Sequence, residues 1–407
     1  MNGDKSARPD RVSELVSRLG ESSSLNRSGA FLVEAPLRIC PLGAHVDHQG
    51  GVVTGMTVNR RVVMAVVPET DAVVRIGSLD FPGDLVVELG DQVPTRAGNW
   101  GDYVRAAVAV LSNEDNLRSG FRAVIGGDLP GAGLSSSAAV LVAYLLALTR
   151  VNEINISREE ISALVQRAEN EYVGVASGRL DQSIILFADH GHLTRVDCSD
   201  LSIEQVPHPS GRKDFRVLVA FSGVGRALVG SGFNNRVSEC HEAARLLLEL
   251  GNEVPRERPV LSDVGPEIFE QFGADLPQAQ RRRAAHYFGE QRRVLGGVEA
   301  WRQGDLDRFG ALMTASGASS IHNYESGTAE LVTLYEALRD APGVYGTRFS
   351  GGGFGGSCIA LIEPDAAGSV IEAVKRRYEV AHPEAAAEAS FDICCPSGPA
   401  RVLELEI

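Results

Sequence analysis

Residues 129–148 read LPGAGLSSSAAVLVAYLLAL, the clearest local pattern in the chain. The preceding FRAVIGGD has strand character, so the unit reads strand, loop, helix. Gly131 and Gly133 let main-chain N–H groups approach a ligand closely, and the free N–H groups at a helix start favour anions. Ser135, Ser136 and Ser137 then open an apolar helix. No lysine follows, so this is not the phosphate loop of Walker-type enzymes. The plainer alternative is a glycine turn with one serine capping a buried helix. Three serines where one cap suffices favour a phosphate cradle.

Outward from that unit, the chain of 407 residues is long for a single compact core, and two domains are expected. Its 44% hydrophobic and 23% charged residues are those of an ordinary globular protein. A net charge of -14 argues against broad nucleic-acid or acidic-membrane surfaces. The six cysteines lack CxxC pairing or zinc-finger spacing and read as buried free thiols in a reducing cytoplasm. No signal peptide is evident, and the most apolar stretch, Ala138 to Leu148, is too short to span a bilayer.

Strands and helices mix without a regular βαβ beat, which predicts two α+β domains with a site between them. Residues 1–30 read as an N-terminal extension and 31–208 as the first domain. A polar stretch, Val206 to Asp214, marks the boundary before a second domain over 215–407. Helices are expected over Trp100 to Leu111, Arg158 to Val173 with Ser157 as N-cap, Asn235 to Leu250 and Arg281 to Arg302.

A second glycine loop, SGGGFGGS over 350–357, joins two strand-like runs. Five glycines exceed what a tight hairpin needs, so something approaches this backbone closely. The two loops are read as opposite walls of one cleft for nucleotide and substrate. In ASGRLDQSIIL, Asp181 follows a small-residue turn and precedes a β-branched run. That places it at a strand mouth, where a carboxylate can take a proton from an attacking hydroxyl, or serve merely as a turn former. Glu169 sits on a helix whose default reading is a solvated face. With Ser136 it would supply the incomplete oxygen cage that Mg2+ prefers beside phosphates.

Three motifs now stand in order: APLRICPLGAHVDHQGG, LPGAGLSSSAA and GVYGTRFSGGGFGG. Together they resemble the signature motifs of the GHMP kinases, and the first motif with LDQS is similar to the galactokinase branch. RVSECHEAA and SSIHNYESG extend the likeness to the plant-type galacturonokinases. The resemblance runs from about Val33 to the C-terminus. It implies an N-terminal domain like the second domain of ribosomal protein S5 and a C-terminal ferredoxin-like domain. It also implies ATP-dependent phosphorylation of the anomeric 1-hydroxyl of D-galacturonate, with Mg2+, by a cytoplasmic monomer or small homo-oligomer. Its partners would be a small sugar acid and ATP, with neither nucleic acid nor membrane.

Carried over by residue, the resemblance makes Asp181 the catalytic base and Arg38 the charge-stabilising arginine. Ser136 and Glu169 become Mg2+ ligands. Gly131, Ala132, Gly133, Leu134, Ser135, Ser136 and Ser137 form the phosphate loop. His45 and Asp47 contact sugar hydroxyls, and Phe233 stands where galactokinases have a sugar-facing tyrosine. At Ala44 galactokinases carry a glutamate that accepts from the 6-hydroxyl. Beside a carboxylate on carbon 6 that glutamate would cost on the order of 4 kcal/mol at about 4 Å and an effective dielectric near 20. Ala44 therefore points to a uronic acid, with His48 and Arg179 either contacting its carboxylate or simply structural. The alternatives are a galactokinase, another uronic-acid kinase such as a glucuronokinase, and a catalytically silent sugar sensor.

Overall fold

The computed structural model describes residues 11–20, 28–90, 94–112, 114, 117–129, 133–225, 232–254 and 256–405. The first half runs α1 (Arg11–Gly20), β1 (Phe31–Ile39), β2 (Val52–Pro68), β3 (Val73–Ser78), β4 (Leu85–Glu88), α2 (Asp102–Ser112), β5 (Phe121–Gly127) and α3 (Ser136–Val151). It continues through α4 (Arg158–Arg167), α5 (Leu180–Phe187), β6 (His192–Asp197) and β7 (Ile203–Pro207). The second half holds β8 (Arg216–Phe221), α6 (Phe233–Leu250), α7 (Pro266–Phe272), α8 (Gln278–Gln303), α9 (Leu306–Ser319) and α10 (Ala329–Arg339). It ends with β9 (Val344–Phe349), β10 (Ser357–Ile362), α11 (Ala367–Ala381), α12 (Pro383–Glu388), β11 (Ser390–Cys394) and β12 (Arg401–Glu404).

The first sheet has the strand order β12-β1-β2-β5-β3-β4, with β6 and β7 joined through β2. The long strand β2 does this by changing partners: Val52 to Gly55 pair with β6, and Val62 to Pro68 pair with β5. Every residue of β1 is buried, because both faces of this sheet are covered. Phe31, Val33 and Leu37 point into the main core with α3, while Leu32 meets Val63, Ala65 and the α1 residues Leu15 and Leu19. The helical part of the N-terminal segment thus roofs the outer face. Segment 215–407 gives its last strand back to the first sheet, since β12 pairs antiparallel with β1.

The second sheet is antiparallel in the order β11-β8-β10-β9. Its strand β8 reads RVLVAF because helices lie on both sides. Val217 and Val219 face the core containing Trp301 and Phe309, while Leu218 and Ala220 face α10 and α11 through Leu334 and Val374. Helix α3 is apolar all round for the same reason, with Ala138 to Leu145 buried apart from Val140. Among the described residues no helix is long and apolar enough to cross a membrane.

Local chemistry sets the ends that matter for the site. Ser157 caps α4 in a full capping box with Glu160. The expected helix through Val173 is interrupted: α4 gives way at Ala168 to a π-helical turn ending at Gly174. One expectation fails outright. LDQSIILF is helix α5, so Asp181 lies in the first turn of a helix and not at a strand mouth. Ile184 and Ile185 are both fully buried, against different cores, and a short helix buried all round has no period to betray it. All six cysteines are free thiols, four of them buried.

Candidate active site

Arg38, on the fully buried edge of β1, is 1% exposed and turns toward the N-terminal end of α5. Its Nε and one terminal nitrogen each lie 2.7 Å from Asp181 Oδ1. The other Asp181 oxygen accepts from the Ser135 hydroxyl. Ser135 is the residue before α3, in the left-handed region at φ 59°, and its side chain makes no capping bond to that helix. The simple capping reading is therefore displaced: the hydroxyl serves Asp181. Holding a non-glycine residue in that conformation costs on the order of 1–3 kcal/mol, which the surrounding contacts must offset.

The two glycine loops meet. A Cβ on Gly133, at φ +76°, would sit 3.4 Å from Gly356 Cα, Ser350 O and Ser357 N. Ser350 Oγ in turn accepts from Arg38 at 3.4 Å, so the second loop touches the Arg38–Asp181 pair. Gly351 and Gly352 line the same cavity as Arg38, Asp181, Ala44 and Phe233. Of the expected phosphate loop, Gly133, Leu134 and the three serines are described; Gly131 and Ala132 lie outside the described residues.

Glu169 is buried at 6% exposure on the π-helical turn, not on a solvated face. It accepts from Ser137 Oγ at 3.3 Å and Ser177 Oγ at 2.6 Å. Ser136 lies with Ser137 on the wall of a neighbouring cavity. One carboxylate among serine hydroxyls at a helix start is a set of hard oxygen donors, the chemistry that suits Mg2+ beside phosphates.

In the same cavity, Asp47 approaches α5 closely enough that its Oδ2 accepts the Leu180 N–H at 3.4 Å. That approach needs Gly178, whose Cβ would fall 2.4 Å from Asp47 Oδ2. Burial and then the charge of Asp181 push the Asp47 carboxyl up to about 6. His45 stacks on the Tyr324 ring at 4.1 Å, and Phe233 meets His48 edge-on at 6.0 Å. Ala44 is 5% exposed and lines the cavity.

Neither candidate for a carboxylate contact, His48 or Arg179, lines this cavity. Burial pushes His48 down to about 3, and its nitrogens engage Tyr324 Oη at 3.1 Å and Gln49 Nε2 at 3.0 Å. Arg179 donates to Gln166 Oε1 at 2.8 Å.

A feature absent from the sequence reading is an aromatic cavity of about 410 Å3 beyond the start of α3, lined by Phe81, Trp100, Tyr103, Ser136 and Ser137. Phe81 and Trp100 stack with centroids 6.2 Å apart. Its only sequence signal was a tryptophan and a phenylalanine left in polar, turn-rich segments.

An arginine-held carboxylate beside a glycine-flanked helix start, with an aromatic cavity next to it, is the layout of a small-molecule phosphotransferase. Comparison with known proteins agrees. A sequence model for the GHMP kinases N terminal domain matches residues 102–189 and one for GHMP kinases C terminal matches 298–380. A galactokinase galactose-binding signature matches residues 22–68. Galacturonokinase from Arabidopsis thaliana is 42% identical over 92% of both chains. A galactokinase from Chloroflexus aurantiacus is 35% identical over 86% of this chain and 88% of its own. The crystal structure of Lactococcus lactis galactokinase complexed with galactose aligns at a TM-score of 0.88 and 29% identity, covering 96% of this chain and all of that one. The chain belongs to the GHMP kinase family, on its galactokinase-like branch, and is a sugar kinase.

Proposed function

We propose that the protein transfers the γ-phosphoryl group of ATP to the anomeric hydroxyl of D-galacturonate, giving galacturonate 1-phosphate and ADP. The observation that carries this reading is Ala44 in the wall of the cavity that holds Arg38 and Asp181. That wall already contains three carboxylates, Asp47, Glu169 and Asp181, against one arginine. A fourth carboxylate at position 44 would repel an acid on carbon 6, whereas a methyl group leaves room for it. The 42% relative named galacturonokinase supports the same assignment.

In this mechanism the anomeric oxygen forms a bond to the γ-phosphorus as the bond to the bridging oxygen of ADP breaks. Asp181 accepts the proton from that hydroxyl. Arg38 orients Asp181 and faces the charge developing on the transferring group. Ser135 fixes the second Asp181 oxygen. Asp47 and His45 read sugar hydroxyls, and Phe233 supplies an apolar edge. The start of α3 receives the phosphates, and the aromatic cavity takes the base. Glu169, with Ser137 and Ser136, would hold Mg2+, which neutralises phosphate charge when bound. Positioning and electrostatics account for most of such catalysis. The enzyme would act in the cytoplasm as a monomer or small homo-oligomer.

A galactokinase is the second reading, favoured by the galactose-binding signature and the galactokinase relatives. ADP release measured over D-galacturonate, D-glucuronate and D-galactose decides. The highest kcat/KM is expected with D-galacturonate. A higher value with D-galactose overturns the assignment, and saturable sugar binding without ADP release would reveal a sensor.

A further inference from the structure

We infer that His286, Glu290 and Gln291, on α8, form a clasp of positioning residues. The clasp sets the shape of loop 43–52 from the opposite half of the chain and leaves the side chain of residue 44 free to decide which sugar is accepted. This rests on reading that loop as the sugar side of the cleft. His286 and Glu290, at i and i+4, lie one above the other on the helix, and Gln291 reaches the loop from the adjoining flank. Each bonds the loop through the loop's main chain.

His286 Nε2 lies 2.9 Å from the Ala44 carbonyl oxygen, and its Nδ1 lies 3.0 Å from Ser319 Oγ. A carbonyl can only accept, so Nε2 carries the ring proton and Ser319 donates to Nδ1. Asn323 Nδ2 donates to Ser319 Oγ at 3.1 Å, so the relay runs in one direction. Burial pushes His286 down to about 4, which keeps the ring neutral as the relay requires.

Glu290 is fully buried, and its Oε1 accepts the Gly43 N–H at 2.8 Å and the Ser316 hydroxyl at 2.5 Å. Burial alone would raise its pKa, but surrounding charges, Arg293 foremost, bring it to about 2. Arg348, also fully buried, lies 3.5 Å from Glu290 and donates to the Phe349 carbonyl at 2.9 Å. Phe349 adjoins Ser350, the partner of Arg38. The clasp is thereby tied to the catalytic arginine.

Gln291 grips both main-chain groups of Val52, accepting its N–H at 2.9 Å and donating to its carbonyl at 3.2 Å. Between these points the loop is folded too tightly to reshape itself: a Cβ on Gly43 would lie 2.5 Å from Val53 Cα. Main-chain bonds do not depend on the side chains they carry. Residue 44 can therefore change without loosening the loop, and the loop can loosen without changing what residue 44 selects.

The test compares full-length His286→Leu and His286→Gln with wild type, using D-galacturonate and D-galactose separately and then ATP. His286→Leu is expected to raise the KM of both sugars by about tenfold, with the ATP KM and the galactose-to-galacturonate preference unchanged. His286→Gln, whose amide can donate to the same carbonyl, should recover most of the loss. An unchanged sugar KM in folded His286→Leu, an equal rise for ATP, or a shifted sugar preference each overturns the clasp. If His286→Leu does not fold, Gln291→Met at the half-buried end of the loop gives the same comparison, with an expected rise of about threefold in sugar KM alone. No rise there overturns it too. A wrong substrate assignment shows separately, as a wild-type preference for galactose, and the clasp is then read with that sugar.

Discussion

The two sides of the cleft are built on opposite principles. The acceptor side packs Arg38, Asp47, Glu169 and Asp181 around one small cavity. Its buried arginine makes a double contact with a carboxylate, and its loop is bonded from α8 through main-chain atoms. The side proposed for the nucleotide is a wider, largely apolar hollow walled by Phe81 and Trp100, with Phe81 47% exposed. Charge held in a buried, polar-bonded setting responds steeply to any change of group, because each removal leaves a partner uncompensated. Aromatic surface responds in proportion to the area lost. Rate and sugar preference should therefore be fragile, and nucleotide affinity forgiving.

The steepest way to break that contrast is Asp181→Asn. Turnover should fall by on the order of 10³-fold or more while sugar binding, followed by calorimetry, stays largely intact. Full activity in this variant would refute the base assignment. Next comes Ala44→Glu, which restores the acidic group and should swing the galactose-to-galacturonate ratio of kcat/KM by on the order of 10²-fold toward galactose. A ratio that stays put counts against the carboxylate argument. On the other side, Trp100→Ala should raise the ATP KM by only about tenfold and leave the sugar KM alone, as expected for losing one stacking surface.

The smallest effect concerns stability. The folded pKa of Asp47, near 6, lies above its ordinary 3.8, so the folded state holds the proton more tightly. Its contribution is whole below about pH 4 and is lost as pH rises through about 6. Asp47→Asn, which keeps an acceptor for Leu180, should stabilise the protein by about 1–2 kcal/mol at pH 8 and by little at pH 4. Thermal melts at the two pH values check the sign. An equal shift at both would mean that neither burial nor the charge of Asp181 raises the Asp47 pKa.

Much of this was legible in linear order. The helix after the serine triplet, the capped start at Ser157, and the second glycine loop all follow from local preferences that act over a few residues. Family likeness brought Arg38, Asp181, Glu169 and Ala44 together on one list. The errors share a cause. Asp181 was put at a strand mouth because a short helix buried on every side looks, residue by residue, like a buried strand. The solvated-face alternative for Glu169 fails because helix periodicity says nothing about a π-helical turn that buries its side chain. The bond from Ser135 to Asp181 spans 46 positions of sequence, beyond the reach of any local pattern.

The sequence by itself determined the family, the two halves, the glycine-framed helix start and the absence of an acid at position 44. These depend on residue identity and short-range spacing. Only the tertiary structure decided that both glycine loops touch, that Ser135 serves Asp181, and that the last strand closes the first sheet. It alone decided that α8 grips the loop around Ala44 by main-chain bonds. Those arrangements join residues tens to hundreds of positions apart through hydrogen bonds to groups every residue shares, and such bonds leave no mark in the identity of the residues that receive them.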